Sequence, residues 1–197
     1  MQIAKIVGSE SHIEYIARVM DTLDVENPPK PSDYGLGQFV SIKTNDLNVI
    51  GVISNTELIN PNFGLLSLRL ASKESNQLFS PDHLHEQGVM IRVLLLGWLE
   101  NNIGIHKTPL EVLPVQSLVT VLEPEKIQAF HRNGQGKLSV GYYTQVVHVG
   151  GLMSNTLLNL IIRKLQDFAS QDEQKKLALL KQNLNWQETL GNFVGRR

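Results

Sequence analysis

Alternating apolar and polar residues run through the first 122 positions and predict a front part rich in β-strands. The segments 3–7 and 13–20 alternate around the polar stretch Gly-Ser-Glu-Ser. The segments 38–43 and 47–54 flank Thr44-Asn45-Asp46, whose turn-forming residues predict a hairpin. In the first of these, Val40 and Ile42 share one face of the predicted strand.

The longest apolar run, VMIRVLLLGWLE at 89–100, has the length of a buried strand rather than a membrane span. Its single charged side chain before the final glutamate, Arg92, is expected to reach the end of a barrel or a partner. A further strand is predicted at 118–122. The prolines within 24–37 predict an extended connection, and 55–88 lacks periodicity and predicts a long surface excursion.

The pattern changes at Glu123, where the predicted elements become mainly helical. Pro124 beside acidic residues indicates the start of a helix. The β-branched and aromatic residues that follow predict a strand or hairpin up to about 149. Beyond Gly150-Gly151, helical spacing predicts an apolar stripe that packs against the barrel of the same chain or of a sister chain. The stripe comprises Leu157, Ile161, Leu165, Phe168, Leu177, Leu180, Leu184, Trp186, Leu190, Phe193 and Val194.

These elements predict an α+β fold, in which a mostly antiparallel β-rich part precedes a helical C-terminal extension. That the β-rich part is a small β-barrel is what the family resemblance given below implies. We place the barrel in residues 1–122. The extension, with a short helix, a hairpin and amphipathic helices, occupies 123–197.

The composition narrows the functional classes. The chain has 197 residues and no cysteine, which excludes disulfides, thiolate metal ligands and cysteine nucleophiles. No apolar run approaches the roughly 18 residues of a membrane span, and the N-terminus does not resemble a signal peptide. We therefore expect a soluble, cytoplasmic protein.

The small net charge of −1 conceals a strong division along the chain. Residues 1–125 carry 8 Lys and Arg and 15 Asp and Glu, a net charge of −7. Residues 126–197 carry 10 Lys and Arg and 4 Asp and Glu, a net charge of +6. This division indicates complementary surfaces or a basic element that meets an acidic partner, unless the helices merely expose more lysines to solvent.

Two segments imitate the phosphate-binding loop, GxxxxGK[ST]. At 131–139, HRNGQGKLS has His131 in place of the first glycine and Leu138 in place of the hydroxyl, and Asn133-Gly134 favours a turn. At 37–44, GQFVSIKT has Ile42 in place of the second glycine and alternates like a strand. We interpret both as structural segments and expect no nucleotide binding.

Other candidate chemistry is sparse. His83, His85 and Glu86 are metal-ligand types, and a His-x-His pair on a strand would place both imidazoles on one face. However, they lie in a predicted loop, and the spacing nominates no third ligand for the two histidines, so we expect no metal there. Composition alone leaves a Ser/His/Asp triad open, although no nucleophile-elbow motif is present. The basic pairs Arg163-Lys164, Lys175-Lys176 and Arg196-Arg197 have the spacing of solvated helix faces. We predict no catalytic, cofactor-binding or metal-binding residue.

Three stretches together resemble a known family: IAKIVGSESHIEYIARV, then YGLGQFVSIK, then NVIGVISNTELINP. They are similar to the HAS-barrel, the small N-terminal β-barrel of HerA-type ATPases and ATP synthase. The resemblance covers about residues 1–122. The glycine-rich phosphate loop that follows this barrel in such ATPases has no counterpart here, so the resemblance implies the barrel without the motor.

In those relatives the barrel contributes to ring assembly and to docking of partner proteins. The resemblance therefore implies a non-catalytic interaction or assembly module, with a protein partner or self-association and no membrane. Two alternatives stay open: a metal-binding or small-molecule-binding protein or enzyme that uses 55–88, and a nucleic-acid accessory factor that uses the basic C-terminal helices. Salt-dependent binding to DNA and RNA would distinguish the latter.

Overall fold

A computed structural model describes residues 1–44, 47–60, 88–149 and 151–194, without the side chains of 152 and 185–194. The strands are β1 (Gln2–Ser9), β2 (Glu14–Val19), β3 (Phe39–Lys43), β4 (Asn48–Ile59), β5 (Gly88–Glu100), β6 (Ile103–Ile105) and β7 (Leu118–Val121). The helices are α1 (Pro124–Phe130), α2 (Tyr143–Val149), α3 (Ser154–Gln166) and α4 (Gln171–Val194).

Six of the strands form a closed antiparallel barrel. The order is β2-β1-β7-β3-β4-β5, and β5 pairs back with β2, so that Glu14 lies opposite Leu94. β6 is a seventh strand that pairs with β5 outside the ring. The predicted α+β fold, a small barrel followed by a helical extension, is confirmed.

The barrel interior follows from the period-two pattern of its strands. Val40 and Ile42 of β3 point inward, as the sequence predicts, and pack with Val49 and Ile53 of β4. β5 contributes alternate residues of its apolar run to the same core. The fully buried core residues that β1, β2, β5 and β7 contribute include Ile3, Ala4, Ala17, Ile91, Val93, Leu95 and Val119.

The outer faces of β3, β4 and β5 are also apolar, because the helices cover them. Phe39, Ile50 and Leu94 belong to a second buried cluster that contains the inward face of α3. From α3 this cluster takes Leu157, Leu158, Ile161, Ile162 and Leu165. A strand that is buried on both faces does not alternate between apolar and polar residues, which explains the nearly unbroken apolar run at 89–100.

Packing of the predicted C-terminal stripe against the barrel is confirmed for α3 and for part of α4. Leu157, Ile161 and Leu165 are at most 1% exposed, and Leu177 and Leu184 of α4 are also buried. Phe168 and Leu180 are half-buried against the same cluster. The side chains of Trp186, Leu190, Phe193 and Val194 lie outside the described part of the chain.

The strand predicted up to about 149 is wrong, because Tyr143–Val149 forms the helix α2. β-branched residues favour strands only weakly, and tertiary packing overrides that preference here. Val146 is fully buried between the barrel and α3, and the side-chain amide of Gln145 donates to the carbonyl of Leu95. That carbonyl lies where the β4–β5 register shifts, so Gln145 satisfies an acceptor at the bulge.

The excursion predicted from 55 begins later than expected. β4 continues through Ile59, and residues 55–59 pair with the start of β5, which begins at Gly88. Residues 61–87 lie outside the described part. The proline-rich connection has one 3-10 turn at Pro31–Tyr34 within its extended course.

Candidate functional site

The segment 131–139 is a compact turn. The carboxamide oxygen of Asn133 accepts the backbone N–H groups of Gln135 and Lys137, and Gly136 has a φ of 71°. Arg132 and Leu138 form a β-bridge across the turn. Lys137 therefore does not open a helix, as the lysine of a phosphate loop does. The other lookalike, 37–44, contains strand β3, as predicted. Absence of nucleotide binding stays a prediction.

Arg132 and Glu173 fasten this turn to the junction between α3 and α4. Arg132 Nη1 lies 2.5 Å from Glu173 Oε1, and Nη2 donates to the carbonyl oxygen of Phe168 at 3.2 Å. The backbone N–H groups of Ser170 and Leu138 also donate to the Glu173 carboxylate, each at 2.9 Å. These two backbone bonds and Arg132 lower the pKa of Glu173 to about 2. The residues act as a structural clamp.

His131 is fully buried and hydrogen-bonded at both ring nitrogens. Its Nδ1 lies 2.7 Å from the carbonyl oxygen of Ile127, so this nitrogen carries the proton. Nε2 then accepts from the hydroxyl of buried Tyr142, at 2.6 Å. Burial lowers the pKa of His131 to about 3 and raises the pKa of Tyr142. The pair is therefore neutral at physiological pH and shielded from solvent.

A second histidine, His106, lies beside this pair, in edge-to-face contact with both rings. Its Nε2 donates to the carbonyl oxygen of Phe130 at 2.9 Å, and its Nδ1 accepts the backbone N–H of Gly141 at 2.9 Å. The Ser139 hydroxyl lies 3.5 Å from Nδ1. This Ser–His contact lacks the geometry of a nucleophile and base, because a backbone N–H occupies the basic nitrogen and a carbonyl stands in for the orienting carboxylate. Burial also lowers the pKa of His106.

The other residues that the sequence suggests as candidates for binding or ion pairing do not form a common site. Arg92 forms ion pairs with Glu10 and with Glu57. Within the described ranges, no three His, Asp or Glu side chains are grouped closely enough to hold a metal ion. His83, His85 and Glu86 lie outside those ranges, as do Arg196 and Arg197, so the predictions about them stay predictions.

The loop between β6 and β7, residues 106–117, is held at the barrel by its backbone. Leu113 inserts into the barrel core, and its backbone N–H donates to the Tyr15 hydroxyl at 3.1 Å. The carbonyl oxygen of Pro109 accepts from Nε2 of His12 at 2.7 Å. The N–H of Gln116 donates to the carbonyl of Ile6 at 2.8 Å. Three anchors therefore fix the loop.

Three apolar side chains of this loop point away from the barrel. Leu110, Val112 and Val115 are 90%, 69% and 63% exposed. Three exposed apolar side chains therefore lie within six positions of one anchored loop. We call these three residues the loop patch.

The sequence reasoning missed the loop patch and the His131–Tyr142 pair. Residues 106–117 have no strand or helix period, so nothing in their order separates buried Leu113 from its exposed neighbours. In the sequence, His131 stands out only as the residue that replaces the first glycine of a phosphate loop. Its position four residues after Ile127, at the end of a helix, was the available signal for an Nδ1–H bond to the backbone.

Fold and surface together define a closed six-stranded antiparallel β-barrel, covered on one side by helices and carrying an anchored apolar loop. The chain belongs to the family described as "Domain of unknown function (DUF8166)", whose model matches residues 1–194. No curated protein matches the chain. Among the described helices, none is long and apolar enough to cross a membrane.

Proposed function

We propose that the protein is a non-catalytic assembly module whose barrel associates with a protein surface through the loop patch. The observation that carries this proposal is the exposure of Leu110, Val112 and Val115 on a loop whose backbone is anchored at three points. An anchored loop loses little conformational entropy on binding, so more of the apolar burial appears as affinity.

The sequence resemblance supports the same proposal. The three stretches that resemble the HAS-barrel contribute β1 to β4, and the six-stranded closed ring is consistent with a barrel of that kind. In HAS-barrel relatives this unit contributes to assembly and docking and performs no chemistry. The buried His131–Tyr142 pair and the Arg132–Glu173 clamp serve the fold, and so neither suggests catalysis.

A second copy of the chain is the partner that we favour. The division of charge, −7 in residues 1–125 and +6 in residues 126–197, makes the two parts of neighbouring copies electrostatically complementary. The loop patch would bury apolar area, and the charge division would steer the approach. Such association weakens as salt increases, because screening acts on exposed charges.

Sedimentation velocity over a range of protein concentrations tests this proposal. We expect the wild-type protein to associate and the Leu110→Glu/Val112→Glu variant to sediment as a monomer with an unchanged melting temperature. Leu179→Glu is the matched control, because Leu179 is 61% exposed on α4, outside the loop patch, and should leave association intact. A wild-type protein that remains monomeric at every concentration would contradict self-association.

A further inference from the structure

A groove of about 360 Å³ lies where the barrel, α1 and α3 meet. Its volume is within the range of small-molecule sites. Apolar groups from β7, from the start of α1 and from the end of α3 form most of its wall. The principal lining residues are Gln38, Leu122, Ile127, Lys164, Asp167 and Phe168.

Lys164 brings a positive charge to this apolar wall. Its Nζ donates to the side-chain oxygen of Gln38 at 3.1 Å and lies 5.7 Å from the ring centroid of Phe39. Within the described part of the chain, no carboxylate lies within 4 Å of this ammonium group. A neutral amide and a ring face only partly replace the water that the ammonium group loses.

The contacts with Gln38 and Phe39 hold the ammonium group of Lys164 at the groove, whereas a lysine that merely covers apolar surface extends its ammonium group into water. An ammonium group has three donors, and Gln38 uses one of them. Half-burial lowers the pKa of Lys164, in accord with an incompletely compensated charge. A ligand anion on this nitrogen would supply the missing counter-charge through a charge-assisted hydrogen bond.

We propose that this groove binds a small organic acid with one carboxylate and an apolar body. The carboxylate accepts from Nζ of Lys164, and the apolar body lies along Leu122, Ile127 and Phe168. Asp167 is exposed at the rim of the groove and adds a negative charge there. Its repulsion favours a singly charged carboxylate over a doubly charged phosphate ester. This site goes beyond the proposed assembly function and uses none of the loop patch.

Isothermal titration calorimetry of the full chain with octanoate tests the assignment. We expect saturable binding at millimolar concentration or below, and weaker binding of octyl phosphate. Octanamide, which has the same apolar body without the charge, should bind about tenfold more weakly or worse, as expected for loss of a charge-assisted hydrogen bond. Failure of octanoate to bind, or equal binding of octanamide, would overturn the proposal.

Variants assign the binding to this groove. Lys164→Met should weaken octanoate binding about tenfold or more, whereas Lys164→Arg should retain most of it. Lys175→Met is the control, because Lys175 is solvated on α4 and pairs with Asp172. If Lys164→Met does not fold, the side-chain amide NMR signal of Gln38 in the wild-type protein should shift with octanoate. Unchanged binding by a folded Lys164→Met variant, or an unshifted Gln38 signal, would contradict the assignment.

Discussion

Arg132 and Glu173 lie 41 positions apart and form an ion pair that joins the turn after α1 to the start of α4. The same carboxylate accepts the N–H of Ser170, while the Ser170 hydroxyl accepts the N–H of Glu173 at 3.4 Å, which makes a capping box for α4. One glutamate thus starts a helix and closes a distant turn. This clamp holds the segment that imitates a phosphate loop in its compact turn.

Glu173→Gln should lower the free energy of unfolding by about 1.5–3 kcal/mol, the usual contribution of a hydrogen bond to a charged group. The ion pair and part of the cap are lost, although the amide oxygen still accepts one N–H. Urea denaturation at pH 7 measures the change. Lys175→Met, which removes only a solvated ion pair, should change stability by less than about 1 kcal/mol. Equal stability of Glu173→Gln and wild type would contradict the clamp.

The buried His131 predicts a loss of stability in mild acid. Its imidazole has an ordinary pKa of 6.5 in the unfolded chain and about 3 in the folded protein, because burial disfavours the charged form. Between these values the unfolded state binds the additional proton, so stability decreases as the pH falls below 6.5. The slope reaches at most about 1.4 kcal/mol per pH unit for this residue.

Urea denaturation at pH 7 and at pH 5 measures this slope, and His106 adds to it in the same direction because its pKa is also lowered. The His131→Gln variant should show a shallower dependence on pH. Glu173 does not interfere, since its stabilising effect is lost only as the pH falls from 4.5 through about 2. Identical stability of the wild-type protein at the two pH values would contradict a neutral, buried His131.

Gly104→Ala should destabilise the fold by about 1–3 kcal/mol or more, as overpacking does. A Cβ at Gly104 would lie 1.6 Å from the carbonyl oxygen of Phe130, which also accepts from His106. Gly134→Ala is the matched control, because a Cβ there meets nothing within 4 Å. Thermal melts compare the two variants. A Gly104→Ala melting temperature equal to that of Gly134→Ala would show that β6 does not approach α1 this closely.

Removal of the helices after Gly151 should give an insoluble or aggregating protein. Truncation exposes the outer apolar face of the barrel, including Phe39, Ile50 and Leu94, which α3 helps to cover. A milder change, Ile161→Ala, should cost about 2–5 kcal/mol, because Ile161 is 1% exposed in this cluster. Solubility and urea denaturation are the measurements. A soluble truncated barrel with unchanged melting would mean that the helices add nothing to the fold.

The sequence predicts the strands of the barrel well, because the signals for these strands are local. Alternation in 38–43 and turn residues at 44–46 identify the β3–β4 hairpin without knowledge of any distant contact. Ring closure is different: it depends on pairing between Tyr15 and Val93, far apart in the chain. The family resemblance, rather than the pattern, led to the prediction of a closed ring.

Helix α2 and the candidate sites show where sequence reasoning fails. The residues around Val146 favour a strand by propensity. They form a helix because Val146 packs into the buried cluster between the barrel and α3, and because the Gln145 side chain donates to the carbonyl of Leu95. The environment of Lys164 depends on Gln38, 126 positions away. Neither contact has a sequence pattern that reveals it.

The central claim, assembly through the loop patch, is tested most directly by the reactivity of a single thiol. The chain has no cysteine, so Val112→Cys introduces one thiol within the patch, and Leu179→Cys introduces one on α4 as the control. We predict that the maleimide labelling rate of Val112→Cys falls as protein concentration increases, whereas that of Leu179→Cys stays constant. A Val112→Cys labelling rate that is independent of concentration, in a protein that folds normally, would contradict self-assembly through this loop.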